Sequence, residues 1–326
     1  MKNRLKYLDA ISGVMIVHMI AFHIFQAGKP GISANIMSPL SFFMFWFFYK
    51  SGMMNDGKKD CRVIIGNGFR KLLIPYFIFN VIGYVIWSAK QLQLGFCLED
   101  IGKKTIYDFC YSATLPGNIA LWFLPTLLVV QVLFCLARLA PPENKERRFF
   151  IFVLLLVFCY YIRDERFFCP CYIKNISLGL AAYILGFVLK NKQNTLFVLC
   201  LSCMTYVAVL LFYPSSINFM ENKIINGNYV LAIMYSFAGC ILINNIMMRF
   251  FPNGINVLNY IGKKSMDYYA PHMIVLTLCL FTPLYLVPYI KILQCCMCIV
   301  ILPLISEAVE RLGVEWIFGR KNIKKK

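Results

Sequence analysis

The chain has 326 residues, of which 60% are hydrophobic and only 15% charged, and its mean hydropathy is +0.67. Soluble domains carry about 25% charged residues, and an aqueous core of this size cannot hide so much apolar surface, so the solvent for most of the chain is lipid. The net charge of +18 is spread over short Lys/Arg clusters between long apolar runs, which argues against a nucleic-acid partner and for the loops of a membrane protein.

A membrane-spanning helix needs about 20 mainly apolar residues. Such runs are predicted over 8–27, 38–54, 71–89, 119–138, 149–162, 173–190, 195–213, 228–248, 267–287 and 291–310, the fifth being short and the last two divided around Pro288. The expected fold is therefore an all-α bundle of about ten transmembrane helices forming one domain over 1–326. With both termini in the cytoplasm, 23 Lys and Arg fall on the inner side and nine on the outer, Lys50 lying inside the second run. The inner clusters are Lys2, Arg4 and Lys6; Lys58, Lys59 and Arg62; Arg147 and Arg148; Lys263 and Lys264; and Lys324 to Lys326. This asymmetry places both ends inside and requires an even number of spans.

The first run lacks a small-residue cleavage site and holds His18 and His23, so it reads as a retained helix. The long outer loop over 90–118, with Glu99, Asp100 and Asp108, is expected to fold over the outer face. Most of the fourteen cysteines, Cys135, Cys159 and Cys240 among them, lie in apolar runs and read as small packing residues. Cys169-Pro170-Cys171 makes a poor disulfide and half a metal site, so no metal is expected.

Ionisable groups inside spans are costly and mark candidate sites. His23 stands about fifteen residues into the first run, ~22 Å along a helix rising ~1.5 Å per residue, in the outer part of the bilayer. An imidazole there takes a proton from a hydroxyl and returns it to a leaving group, or else packs between helices; chemistry alone leaves both readings open. His18 reads as a packing residue, and Asp9 as a cap of the first helix with a supporting role. No Gly-rich phosphate loop, His-Glu-x-x-His motif or nucleophile elbow is present, so nucleotide hydrolysis, zinc chemistry and soluble serine hydrolysis have no support.

Around these residues, Leu8-Asp9-Ala10-Ile11-Ser12-Gly13 followed by an apolar stretch to His23 resembles the first helix of the acyltransferase 3 family, in which a His stands eleven positions after an Arg. Phe47-Phe48 leading to Ser51-Gly52, Arg70-Lys71-Leu72-Leu73-Ile74-Pro75-Tyr76, Leu121-Trp122-Phe123-Leu124-Pro125, and Gly262-Lys263-Lys264-Ser265-Met266 with Tyr269 and His272 resemble further family segments in the same order. The resemblance implies a membrane O-acyltransferase that passes an acyl group, usually acetyl, from cytoplasmic acyl-CoA to a sugar hydroxyl of a surface polysaccharide or its lipid-linked precursor. It implies no bound cofactor, only acyl-CoA as donor substrate, and an inner-membrane location.

The catalytic role then falls on His23, either as the base that deprotonates the acceptor hydroxyl or as a brief carrier of the acyl group, and donor binding on Ser12, Lys50, Ser51, Arg70 and His272, with Tyr268, Tyr269 and His272 expected in the cytoplasmic third of the ninth span. Trp122, at the outer end of the fourth span, offers an aromatic face to the acceptor or serves as an interfacial anchor. Two positions depart from the family: Ser12 replaces its Arg, and Ala120 stands where a His or another polar residue is frequent. Lys50, at a matching depth, is expected to supply the missing charge, the alternative being a lysine that snorkels to headgroups. The rival reading from another class is a transporter or flippase for a lipid-linked sugar, whose polar groups line a path.

Overall fold

The computed structural model describes residues 5–26, 38–55, 57, 60–163, 169–190, 195–279 and 290–320. The cluster residues Lys2, Arg4, Lys58, Lys59 and Lys324 to Lys326, and the break around Pro288, lie outside the described residues. The helices are α1 (Lys6–Gln26), α2 (Phe43–Met53), α3 (Cys61–Gly68), α4 (Ile74–Gln93), α5 (Leu98–Ser112), α6 (Phe123–Leu136), α7 (Lys145–Ile162), α8 (Cys171–Leu189), α9 (Leu196–Phe212), α10 (Tyr229–Phe250), α11 (Asn256–Lys263), α12 (Ser265–Tyr269), α13 (His272–Cys279) and α14 (Ile290–Arg311). A short antiparallel pair, β1 (Ser216–Asn218) and β2 (Lys223–Asn226), precedes α10.

Helix is present in all ten predicted runs, but among the described residues six stretches are long and apolar enough to cross a membrane: Lys6–Phe25, Cys61–Gln93, Ile119–Leu136, Cys171–Leu189, Tyr229–Phe250 and Ile290–Arg311. The second run yields only the 11 residues of α2, because its start is taken up by a 3-10 turn at Ser38–Leu40. The connection over 90–118 contains a helix, α5, at Leu98–Ser112. Exposed side chains agree with a lipid solvent: on α9, Phe197, Met204 and Leu211 recur every seven residues at 76%, 69% and 67% exposure, an outward stripe that water does not favour.

The chain forms two compact units. The first comprises Met1–Met19, Lys29–Ile64 and Val129–Lys263. In it α2 packs along α8, α8 on α7, α9 on α10, and α10 on α2. The aromatic run of α2 is buried apart from the half-buried Phe47, which is the pattern of a core helix. Phe48 stacks on Phe219 of the β1–β2 turn at 5.2 Å, Phe45 meets the same ring edge-on at 4.7 Å, and the Trp46 indole donates to Asn244 Oδ1 at 3.2 Å. Two glycines bring α2 and α8 to backbone contact: a Cβ on Gly52 would stand 2.0 Å from the Tyr183 carbonyl oxygen, and one on Gly186 2.0 Å from that of Tyr49.

The second unit comprises Ile20–Gly28, Ile65–Leu128 and Lys264–Lys326. There α13 packs on α14 and α4, and a 3-10 turn at Glu315–Phe318 covers α4, with Phe318 stacked on Phe79 at 5.2 Å. Pro75 has no amide hydrogen to donate within the helix, and just before it Phe69–Leu73 widens into a π turn, the Ile74 amide reaching back to the Phe69 carbonyl.

Candidate active site

His23 lies in the last turn of α1 and His272 opens α13, both in the second unit. Their ring centroids are 5.2 Å apart, with the planes at 40°. His272 is wholly buried, whereas His23 is partly exposed and flanked edge-on by Phe22 at 5.7 Å. The Nδ1 of His272 is 2.5 Å from the Tyr269 carbonyl oxygen. A carbonyl only accepts, so Nδ1 carries a proton and, in the neutral ring, Nε2 keeps a lone pair. Among the described residues that buried Nε2 has no hydrogen-bond partner.

Local sequence produces this placement. Helix α12 ends at Tyr269, and the Pro271 carbonyl accepts the first hydrogen bond of α13 from the Val275 amide at 3.0 Å. The expected straight span from 267 is thus two helices joined at Ala270–Pro271. Counting residues from its start put His272 in the cytoplasmic third, far from His23; the broken helix instead sets the two rings level. Tyr269, expected in the cytoplasmic third of the ninth span, is buried and donates its hydroxyl to the Ala120 carbonyl. Ala120 thus takes part through its backbone, whatever its side chain.

The segment before α6 is fixed by residues that the sequence reading did not single out. Asn118, wholly buried, donates its Nδ2 to the Ala270 carbonyl at 2.9 Å and to that of Phe79 at 3.4 Å. Asn80 accepts from the Leu115 amide at 3.1 Å, and Tyr76 donates to the Ala113 carbonyl. Gly117, at φ +94°, lies so close to α4 that a Cβ would meet the Gly83 carbonyl oxygen at 2.3 Å. The one signal for this turn is Pro116-Gly117-Asn118 ahead of an apolar run. Trp122 ends the 3-10 turn Ile119–Trp122, buried and edge-on to Phe123 at 6.2 Å, so it is not an exposed belt residue.

Arg70 sits in the π turn with its Nε buried and, among the described residues, lacking a hydrogen-bond partner. The C-terminal segment closes against this turn. Gly319, at φ +70°, approaches the Arg70 carbonyl closely, and Arg320 pairs with buried Asp267 and, at 2.8 Å, with Glu310. Glu310 also holds Lys264 at 2.9 Å.

In the first unit, Lys50 Nζ donates to Ser12 Oγ at 2.5 Å, and the Ser12 hydroxyl donates to the Leu8 carbonyl at 2.7 Å. Lys50 also lies 5.3 Å from the centre of the Trp46 ring. Ser51 accepts from Gln131 Nε2 at 3.1 Å. Asp9 is buried within the first turn of α1, which begins at Lys6, so it does not occupy the N-cap expected of it; its carboxylate still lies at the favourable end of the helix dipole. Its backbone has a packing duty: a Cβ on Gly262 would stand 1.8 Å from the Asp9 carbonyl oxygen, and one on Gly13 2.3 Å from that of Leu258. The glycines of two widely separated motifs thus let α1 and α11 touch backbone to backbone.

Cys135, expected to be a packing thiol, is bonded to Cys61, their Cα atoms 5.9 Å apart across the start of α3 and the end of α6. Cys61 lies between two predicted runs and 74 residues from Cys135, so the spacing of neither cysteine marks the other as its partner.

A family model described as an acyltransferase domain matches residues 5–306, which include both histidines and nearly the whole chain. No curated protein and no solved structure gives a match. Together with its apolar helices, the match establishes that this membrane protein belongs to the acyltransferase 3 family.

Proposed function

We propose that this membrane acyltransferase is an O-acetyltransferase, moving acetyl from cytoplasmic acetyl-CoA to a sugar hydroxyl of a surface polysaccharide or its lipid-linked precursor. The proposal includes ten spans in the inner membrane with both termini cytoplasmic, a reading supported by the excess of Lys and Arg in alternate loops. The observation that carries it is the pairing of His23 with His272.

Partly exposed His23 removes the proton of the acceptor hydroxyl as its oxygen attacks the thioester carbonyl. The carbon–sulfur bond then breaks, and the departing thiolate takes the proton back from His23. His272, its Nδ1 proton tied to Tyr269, turns a basic Nε2 toward this step and holds the imidazolium of His23 in place. Lys50, seated on Ser12, provides the positive charge that the family's Arg would bring, and Ser51 and Arg70 are further donor-binding residues. Trp122 serves the acceptor by stacking beneath a sugar ring.

The test is a gene deletion complemented with wild type, His23→Ala and His272→Gln, reading the ester-linked acetyl content of the surface polysaccharide. Wild type restores it and His23→Ala does not. Loss of a general base or its partner costs on the order of 10²–10⁴-fold in rate, so His272→Gln restores little. Normal acetylation by His23→Ala rejects the mechanism, and altered polymer export with normal esters favours the flippase reading.

A further inference from the structure

Within the first unit, the end of α2, the start of α3, and α6 and α8 line a half-open cavity of about 150 Å³ formed by Ser51, Met54, Asn55, Ile64, Gln131 and Tyr183. Its polar groups are already cross-linked. Gln131 Nε2 donates to Ser51 Oγ at 3.1 Å, Asn55 Nδ2 donates to the Tyr183 hydroxyl at 2.8 Å, and Lys190 holds the Asn55 carbonyl at 2.9 Å. The Gln131–Ser51 bond leaves the Ser51 hydroxyl hydrogen to donate and Gln131 Oε1 to accept, neither having another partner among the described residues.

This donor and acceptor, held side by side, select the ligand chemistry. All six lining side chains are uncharged. A phosphate or carboxylate would face Gln131 Oε1 with its own negative oxygens, and a hydrocarbon would leave both groups unpaired. A secondary amide matches them, its carbonyl accepting from Ser51 and its N–H donating to Gln131. Met54 and Ile64 give apolar surface for methylenes beside the amide. The cavity volume is that of about five waters at ~30 Å³ each, room for one amide with short arms.

We propose that this cavity binds a secondary amide of the pantetheine arm of the acyl donor, with Ser51 and Gln131 as its two hydrogen-bonding residues. The assignment rests on the acyl-CoA reading above and adds the place where the carrier is recognised. It is tested with the purified, lipid-reconstituted protein and acceptor saccharide, comparing S-acetylpantetheine with S-ethyl thioacetate, a thioester without amides. Gln131→Leu and, as a second variant, Ser51→Ala each raise KM for S-acetylpantetheine about tenfold, the effect of one lost hydrogen bond, while Gln131→Leu leaves turnover of S-ethyl thioacetate unchanged. Equal effects on both thioesters, or none on either in well-folded variants, overturn the cavity assignment while leaving the acyltransferase reading intact. A wild-type protein that uses neither thioester overturns both.

Discussion

The contact between Lys50 and Ser12 shows how one charge is supplied from a second helix. The Ser12 hydroxyl cannot carry charge, but it accepts from the Lys50 ammonium at 2.5 Å while donating to the Leu8 carbonyl, so it fixes the lysine head at the first helix. A lysine snorkelling to headgroups would have no need of that bond. If the charge serves the donor, Lys50→Met raises KM for acetyl-CoA by roughly 10- to 100-fold, as expected for a charge-assisted contact worth about 1.5–3 kcal/mol. Combining Lys50→Met with Ser12→Arg returns a cation to the same place and recovers most of the loss. Steady-state kinetics on protein normalised for abundance checks both; an unchanged KM in Lys50→Met assigns the lysine to the headgroups. The depth match of these residues was legible in the chain. The pairing of His23 with His272 was not, because 249 positions separate them and only the helix break at Pro271 levels their rings.

Among the helices, apolar runs were easy to read because a lipid-facing helix is apolar along its whole length, and each of the ten runs does contain helix. Amphipathic elements escaped. Helix α5 carries i,i+4 pairs, Glu99 with Lys103 at 2.6 Å and Lys104 with Asp108 at 2.8 Å, a pattern that marks a surface helix but weighs little beside hydropathy. The close crossing of α2 and α8 was likewise hidden, since Gly52 and Gly186 reveal their purpose only when each is seen against the carbonyl of the other helix. A Cβ at 2.0 Å from an oxygen forces the backbones apart, so Gly52→Val or Gly186→Val costs on the order of 1–3 kcal/mol or more, the usual result of overpacking. Gly66, with nothing within 4 Å of its added Cβ, is the control: Gly66→Ala is neutral or stabilising by about 0.4–1 kcal/mol. Size-exclusion thermal stability of fluorescent fusions measures this, and equal midpoints for Gly186→Val and wild type would disprove the crossing.

For the molecule as a whole, orientation was inferred from charge alone, and cysteine chemistry provides an independent measure of it. With both termini inside, the start of α3 and the end of α6 face the cytoplasm, so Cys61 and Cys135 stand on the reducing side, where thiols prevail over bridges. Cys97 and Cys110, at the start and within α5, are exposed and belong to the segment assigned to the outer face. The two pairs therefore respond differently to a membrane-impermeant maleimide added to intact spheroplasts. Cys97 and Cys110 are labelled at once. Cys61 and Cys135 are labelled only by a permeant maleimide, and they bridge only after cell lysis without reductant. Mass spectrometry of the tryptic peptides reads all four positions in one experiment. Labelling of Cys61 or Cys135 by the impermeant reagent, or a bridge already formed in growing cells, would invert the topology. The thioester would then have to arrive from the side where coenzyme A is absent, and the charge count that oriented the chain would have misled.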